Sequence, residues 1–201
     1  MFKERVPLGK RIKEAIHPTP LRQRIMECLF KLKLQLRRLE KTSHQMQQRD
    51  ASLHKKCVDA VQVKNSELAS MYANECAEIR KMAKVVLHSE LALEQVTLRM
   101  ETVQEFGDIA YTMRPVAGVV RTIKNQLQSV LPEVSMELAN VNESLEYLVV
   151  EVGDATESSF DMNVSSDEAQ QILTEAGVVA EQKMKERFPE LPAIPTHEAR
   201  T

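Results

Sequence analysis

The chain has 201 residues, 28% of them charged, only 4% aromatic and none of them tryptophan, which leaves it short of the aromatic bulk of an ordinary compact core. No run approaches the roughly 20 apolar residues of a membrane span, and the first residues carry no apolar signal region, so a cytosolic protein is expected. The net charge of −2 conceals a division: residues 1–100 hold 20 Lys/Arg against 11 Asp/Glu, whereas residues 101–201 hold 7 against 18.

The N-terminal arm, residues 1–20, carries Pro7, Gly9, Pro18 and Pro20 among five Lys/Arg residues. Neither Gly nor Pro then occurs from Leu21 to Phe106, 86 residues that read as helix. One straight helix of that length would reach about 130 Å, so a break is expected. The polar stretch Gln45 to Lys56, with Arg49-Asp50-Ala51-Ser52 inside it, is the expected hairpin tip. Before it, Ile25, Leu32, Leu39, Met46 and Leu53 recur every seven residues, with Leu29 and Leu36 in the turns between. After it, Val61, Leu68, Met82, Val96 and Val103 interleave with Tyr72, Ile79, Val86, Leu93 and Met100, interrupted at Glu75 and Ser89. Two such seams predict an antiparallel helical hairpin of roughly 60–70 Å.

Shorter helices follow Gly107. Pro115 and Pro132 fit first turns, where a missing N–H costs little. Val134, Leu138, Val141, Leu145, Leu148 and Val152 make a regular apolar line. Gly153 to Asn163 reads as a flexible acidic linker. Ser165 with Glu168 reads as a capping box before an amphipathic helix bearing Ile172, Leu173, Ala176, Val179 and Met184. The end, Phe188-Pro-Glu-Leu-Pro-Ala-Ile-Pro195, cannot be helical throughout. The expected organisation is therefore a basic arm (1–20), an all-α core (21–152), a linker (153–164), a C-terminal amphipathic helix (165–188) and a Pro-rich tail (189–201).

Candidate chemistry is sparse. Cys28, Cys57 and Cys76 are odd in number and lack CxxC spacing, so they read as reduced thiols on helices. No two of the five histidines stand three or four residues apart, and no Gly-rich phosphate loop, GxSxG or HExxH occurs. No catalytic residue, cofactor site or metal site is expected, and the chain reads as something other than an enzyme. Between Lys124 and Lys183 there is no cation, while twelve acids fall there. This predicts a basic front for an anionic surface and an acidic back able to screen it.

The order of a basic hairpin, shorter acidic helices, a linker, an amphipathic helix and a Pro-rich end resembles the ESCRT-III family. These are the charged multivesicular body proteins of eukaryotes and the archaeal Cdv B division proteins. Glu67-Leu-Ala-Ser-Met-Tyr-Ala-Asn-Glu-Cys-Ala-Glu-Ile-Arg-Lys81 is similar to helix two of that family, as is the segment from Met113 through Pro115, Gly118 and Val120 to Leu127. Leu191-Pro192-Ala193-Ile194-Pro195 resembles the extended element by which members bind the MIT domain of their disassembly ATPase. A stiff apolar segment loses little entropy on docking between helices. Met184, Arg187 and Phe188, with Leu191, resemble the family's other, helical MIT-binding pattern.

The resemblance implies a filament subunit that assembles with itself and its paralogues, constricts or severs membrane, and is taken apart by an AAA ATPase. It implies a cytoplasmic protein peripheral on the inner face of the cell membrane, at the division site in an archaeon. Membrane contact is expected from Lys3, Arg5, Lys10, Arg11 and Lys13 in the arm, with Phe2 as an apolar wedge, and from Arg24, Lys31 and Arg38, seven residues apart. The acidic helices would fold back on the basic hairpin in a closed form, with hinges near Gly107–Pro115 and Gly153–Asn163. A passive coiled-coil scaffold would explain the seams but neither the charge division nor the tail. Nucleic acid is not an expected partner, since no helix-turn-helix or aromatic platform accompanies the basic half.

Overall fold

The computed structural model describes residues 21–106, 109–156 and 162–194. Among these residues every regular element is helical: α1 (Leu21–Gln62), α2 (Ser66–Phe106), α3 (Ile109–Leu127), α4 (Pro132–Thr156) and α5 (Met162–Arg187). The fold is all-α, as the seams predict.

Helices α1 and α2, of 42 and 41 residues, pair as an antiparallel hairpin. At 1.5 Å per residue each is about 60 Å long. The tip is not at Gln45–Lys56, through which α1 runs unbroken; it lies at Val63–Asn65. Polar residues alone do not end a helix whose other face is buried. What ends α1 is a reversal in which the Asn65 N–H donates to the Ala60 carbonyl (2.9 Å) and the Lys64 N–H to that of Val61 (3.0 Å). Lys64 stands there with φ 57°, the left-handed position glycine usually takes. Asn65 Oδ1 then accepts from the Leu68 N–H (3.0 Å) and caps α2. Val61 therefore closes the first helix and does not open the second.

The first seam is inside: Ile25, Leu29, Leu32 and Leu39 are buried, and Leu36, Met46 and Leu53 partly so. In the second, Ile79, Val86, Leu93, Val96 and Met100 are buried, but Met82 points outward and Ala69, Cys76 and Ala83 face α1 in its stead. Small side chains narrow this half of the hairpin. Neither interruption is a gap, because Cys76 lies one position beyond Glu75, and Ser89 is itself buried, its hydroxyl donating to the Val85 carbonyl (2.8 Å).

Helix α3 lies at the centre, with Met113, Val116, Val119, Val120, Ile123 and Leu127 all buried. Pro132 opens α4 as expected. Pro115 instead falls inside α3, which starts at Ile109. The hydrogen bond it forfeits to the Tyr111 carbonyl is offset by burial of its neighbours Met113, Val116 and Ala117. Helix α4 buries Val134, Leu138, Val141, Leu145 and Leu148 against α3 and α1. It continues to Thr156, into the expected linker, and residues 157–161 lie outside those described. Helix α5 is already helical from Met162, so Ser165 is not its cap. It sets Ala169, Ile172, Ala176 and Ala180 on α2 and α3, while Val179 is exposed. Close approach explains the alanines: a β-carbon on Gly118 would sit 3.3 Å from that of Ala169.

The left-handed backbone at Lys64 costs a residue with a side chain roughly 1–2 kcal/mol, most of which glycine avoids. Lys64→Gly is expected to stabilise the fold by about 1 kcal/mol, raising the melting temperature by about 2–4 °C in a thermal scan.

Candidate functional site

Two surfaces gather the residues singled out in the sequence. The first is the face of α1 that meets α4. Arg24, Lys31 and Arg38 are seven residues apart, and 3.6 residues per turn places them on one side of the helix. That side faces the cation-free stretch. The Arg24 guanidinium pairs with the Glu151 carboxylate and lies over the Tyr147 ring, 4.6 Å from its centroid. Lys31 lines the same cleft opposite Glu143, and Arg38 lines the next cleft with Glu133. The acidic helix thus runs along the basic side of α1, paired with Arg24 and flanking Lys31 and Arg38, which stay exposed. Arg121 of α3 pairs with Glu146 from the other side, which holds that carboxyl below its ordinary range. Phe2, Lys3, Arg5, Lys10, Arg11 and Lys13 lie outside the described residues.

The second surface is the outer half of the hairpin, where the end of α5 and the tail are seated. Helix α5 closes with the Phe188 N–H on the Met184 carbonyl (3.0 Å), and Pro189 ends it there. Met184 is packed against the main core. Phe188 is buried, its ring centroid 5.8 Å from the Arg80 guanidinium carbon. Arg80 grips the Asp50 carboxylate with two donors, Nε to Oδ1 at 2.7 Å and Nη2 to Oδ2 at 2.9 Å. Asp50 is only 1% exposed. A carboxylate this deep requires such a partner, and the bidentate fork supplies it across the two helices.

Beyond α5 the chain runs extended along the hairpin. The His54 Nε2–H donates to the Glu190 carbonyl (2.9 Å), which fixes the proton on that nitrogen because a carbonyl can only accept. Leu191 and Pro192 are partly buried, and Ile194 packs on Cys57, Ala60 and Ala69 near the tip. Arg187 reaches the Ser43 hydroxyl at 3.5 Å. The structure therefore brings Met184, Arg187, Phe188, Leu191, Pro192 and Ile194 together on one strip; Pro195 lies outside the described residues.

Ser43, Asp50, His54, Arg80 and Glu90 receive the tail; none of them is a candidate site residue in the sequence, where Asp50 reads as part of the hairpin tip. A signal existed. Leu29, Leu36, Ser43, Asp50 and Cys57 are each seven residues apart, so the polar members stand where the apolar line should continue. All three cysteines are buried. Burial pushes each thiol up, and Cys76, beside the Asp50 charge, reaches about 11. Among the described residues no three His, Cys, Asp or Glu side chains gather as a metal site, and no helix is long and apolar enough to cross a membrane.

A hairpin of two helices of 42 and 41 residues, with an acidic helix folded along its basic face and a Leu-Pro-x-Ile element laid along its outer half, has the architecture of an ESCRT-III-like protein. The chain is similar to Cell division protein B1 of Sulfolobus acidocaldarius, 45% identical over 174 residues that span 87% of this chain and 81% of that protein. It is 34% identical to Cell division protein B of the same organism over 176 residues, 88% of this chain and 67% of that one. No family model and no solved structure matches it. The chain belongs to the archaeal Cdv B family of ESCRT-III-like cell-division proteins.

Two outcomes are expected at this site. Arg80→Ala strands Asp50 as a buried charge and should cost about 3–5 kcal/mol in denaturant melts, whereas the double variant Asp50→Leu/Arg80→Met should recover most of that loss. Glu90 faces Ser43, Arg187 and Lys183, and burial holds its carboxyl above the ordinary range despite those cations. Such a group favours the fold while protonated, and its contribution is lost as pH rises through the raised value. Glu90→Gln should therefore raise the melting temperature at pH 7, and the gain should vanish below the ordinary carboxylate range.

Proposed function

We propose that this chain is a self-assembling subunit of a membrane-remodelling filament acting in archaeal cell division, at the cytoplasmic face of the membrane, and that the arrangement described above is its closed form. The relatives' names support the division role. The observation that carries the reading is the course of α4 along Arg24, Lys31 and Arg38, with Glu151 paired to Arg24 and Glu143 and Glu133 flanking the other two. An anionic leaflet and the acids of α4 compete for the same cations. Each Lys or Arg near such a surface is worth about 1 kcal/mol, so a basic face with several of them tips the equilibrium toward an open form.

The tail follows the same logic. While Phe188 and Ile194 are seated on the hairpin, the extended element is engaged. Lifting α5 releases Leu191–Pro195 as a stiff apolar segment suited to the groove of an MIT domain on an AAA ATPase, which then takes the filament apart. Assembly would thereby expose the handle for disassembly.

The test is sedimentation with anionic or neutral vesicles at low and high salt, followed by imaging of the pellets. Salt-sensitive binding to anionic vesicles with filaments or coated tubes is expected. Arg24→Ala/Lys31→Ala/Arg38→Ala should weaken binding about a hundredfold, and Leu191→Ala/Ile194→Ala should abolish capture by an MIT domain without affecting assembly. Discrete soluble dimers that ignore vesicles, even after deletion of residues 157–201, would favour a passive coiled coil instead.

A further inference from the structure

Two helices carry a second, outward line of side chains that the closed fold leaves largely exposed. On α1, Gln23, Met26, Phe30, Lys33 and Arg37 follow one another at steps of three and four, all exposed, on the side opposite buried Ile25, Leu32 and Leu39. Phe30 is 69% exposed and Met26 50%, with Leu34 alongside. On α4, Glu133, Met136, Asn140, Glu143, Tyr147 and Val150 repeat the same steps, opposite the buried line of Leu138, Val141 and Leu145. Met136, Tyr147 and Val150 are each more than 60% exposed. A three-four spacing is what a helix needs to pack along another helix. Within the molecule the lines are touched only at their edges, Lys33 by Glu101 of α2, and Tyr147, Glu143 and Glu133 by Arg24, Lys31 and Arg38 of α1, and Met26, Phe30, Met136 and Val150 stay at least half exposed.

We infer that these two lines dock on each other between copies of this chain, α1 of one against α4 of the next; the inference rests on the filament reading and names its contact. The order of residues selects the occupant. Along α1 the line is apolar first and basic last, whereas along α4 it is acidic first and apolar last. Laid antiparallel, Met26 and Phe30 meet Val150 and Tyr147, and Lys33 and Arg37 meet the Glu143 end. Helix α4 contains no Lys or Arg from Pro132 to Thr156, so nothing on it repels the basic half. An anionic bilayer would match the α1 line alone and would repel the α4 line, leaving Met136 and Val150 in water. Because the two lines are different surfaces, the contact is head-to-tail and leaves one of each free at the ends, so copies add on until the rotation between them closes a ring.

The experiment uses the full chain and two charge-swapped variants: Lys33→Glu/Arg37→Glu on α1, and Glu133→Lys/Glu143→Lys on α4. Circular dichroism checks that both fold. Assembly is followed by light scattering and negative-stain microscopy on anionic vesicles. Each variant alone should lose assembly at least tenfold, since each juxtaposes like charges, while an equimolar mixture should restore it as an alternating polymer. Phe30→Asp alone should also block assembly, and no mixing partner should rescue it. Wild-type-like assembly by either single variant, or a mixture that stays inactive, overturns the contact while the filament reading stands. An α1 variant that leaves vesicles while the α4 variant assembles normally assigns the α1 line to lipid and also overturns it. A wild type that never polymerises removes the filament reading and this contact together.

Discussion

Two long helices with a heptad seam can slide past one another by seven residues and keep most of their apolar contacts, so a hairpin of this length depends on something that fixes its register. Here the fixing contact is Asp50 with Arg80. One slipped heptad would strand a carboxylate in the seam without its guanidinium, a penalty larger than any single apolar contact could return. The reversal at Lys64 sets the same register from the end. Everything described on the two surfaces follows from it: Phe188 finds the Arg80 face, His54 stands beside the Glu190 carbonyl, and Arg24 comes opposite Glu151.

Charge then decides how the shorter helices lie on that frame. A 58-residue stretch without a cation is drawn to the basic hairpin. The contacts that result are mostly exposed at their edges: Glu151 with Arg24 and Glu181 with Lys84 (2.6 Å). Exposed pairs are individually weak and yield to salt or to a competing anion. The deep part of the interface is apolar and the rim is ionic. Such a join is specific when closed and separable without unfolding the hairpin.

Much of this was legible in the chain. The absence of Gly and Pro over 86 residues marked the hairpin, the Val134–Leu148 line marked α4, and the charge division marked which faces meet. The tip was misplaced because a polar run resembles a loop, whereas the deciding features, Asn65 as a cap and a non-glycine residue at positive φ, are single-residue events. Met82 and Val179 read as core from their places in the periodic apolar lines. There the neighbouring Ala83 and Ala180 take the buried positions instead. The tail residues were recognisable as a motif, but their seat was not. Ser43 and Asp50 sit on the heptad line as polar exceptions, and only the pairing with α2 and α5 gives the exceptions a purpose.

The buried cysteines divide the molecule into layers that open separately. Cys28 lies in the cleft under α4, Cys57 under Ile194 at the tip, and Cys76 in the seam itself beside Asp50. A thiol reacts only as an accessible thiolate, and each of these is denied both conditions while the layer above it is shut. The native sequence therefore carries its own chronometer: alkylation of Cys28 times the departure of α4, whereas Cys57, whose thiol donates to the Ala69 carbonyl of α2, and Cys76 stay silent until the two long helices part.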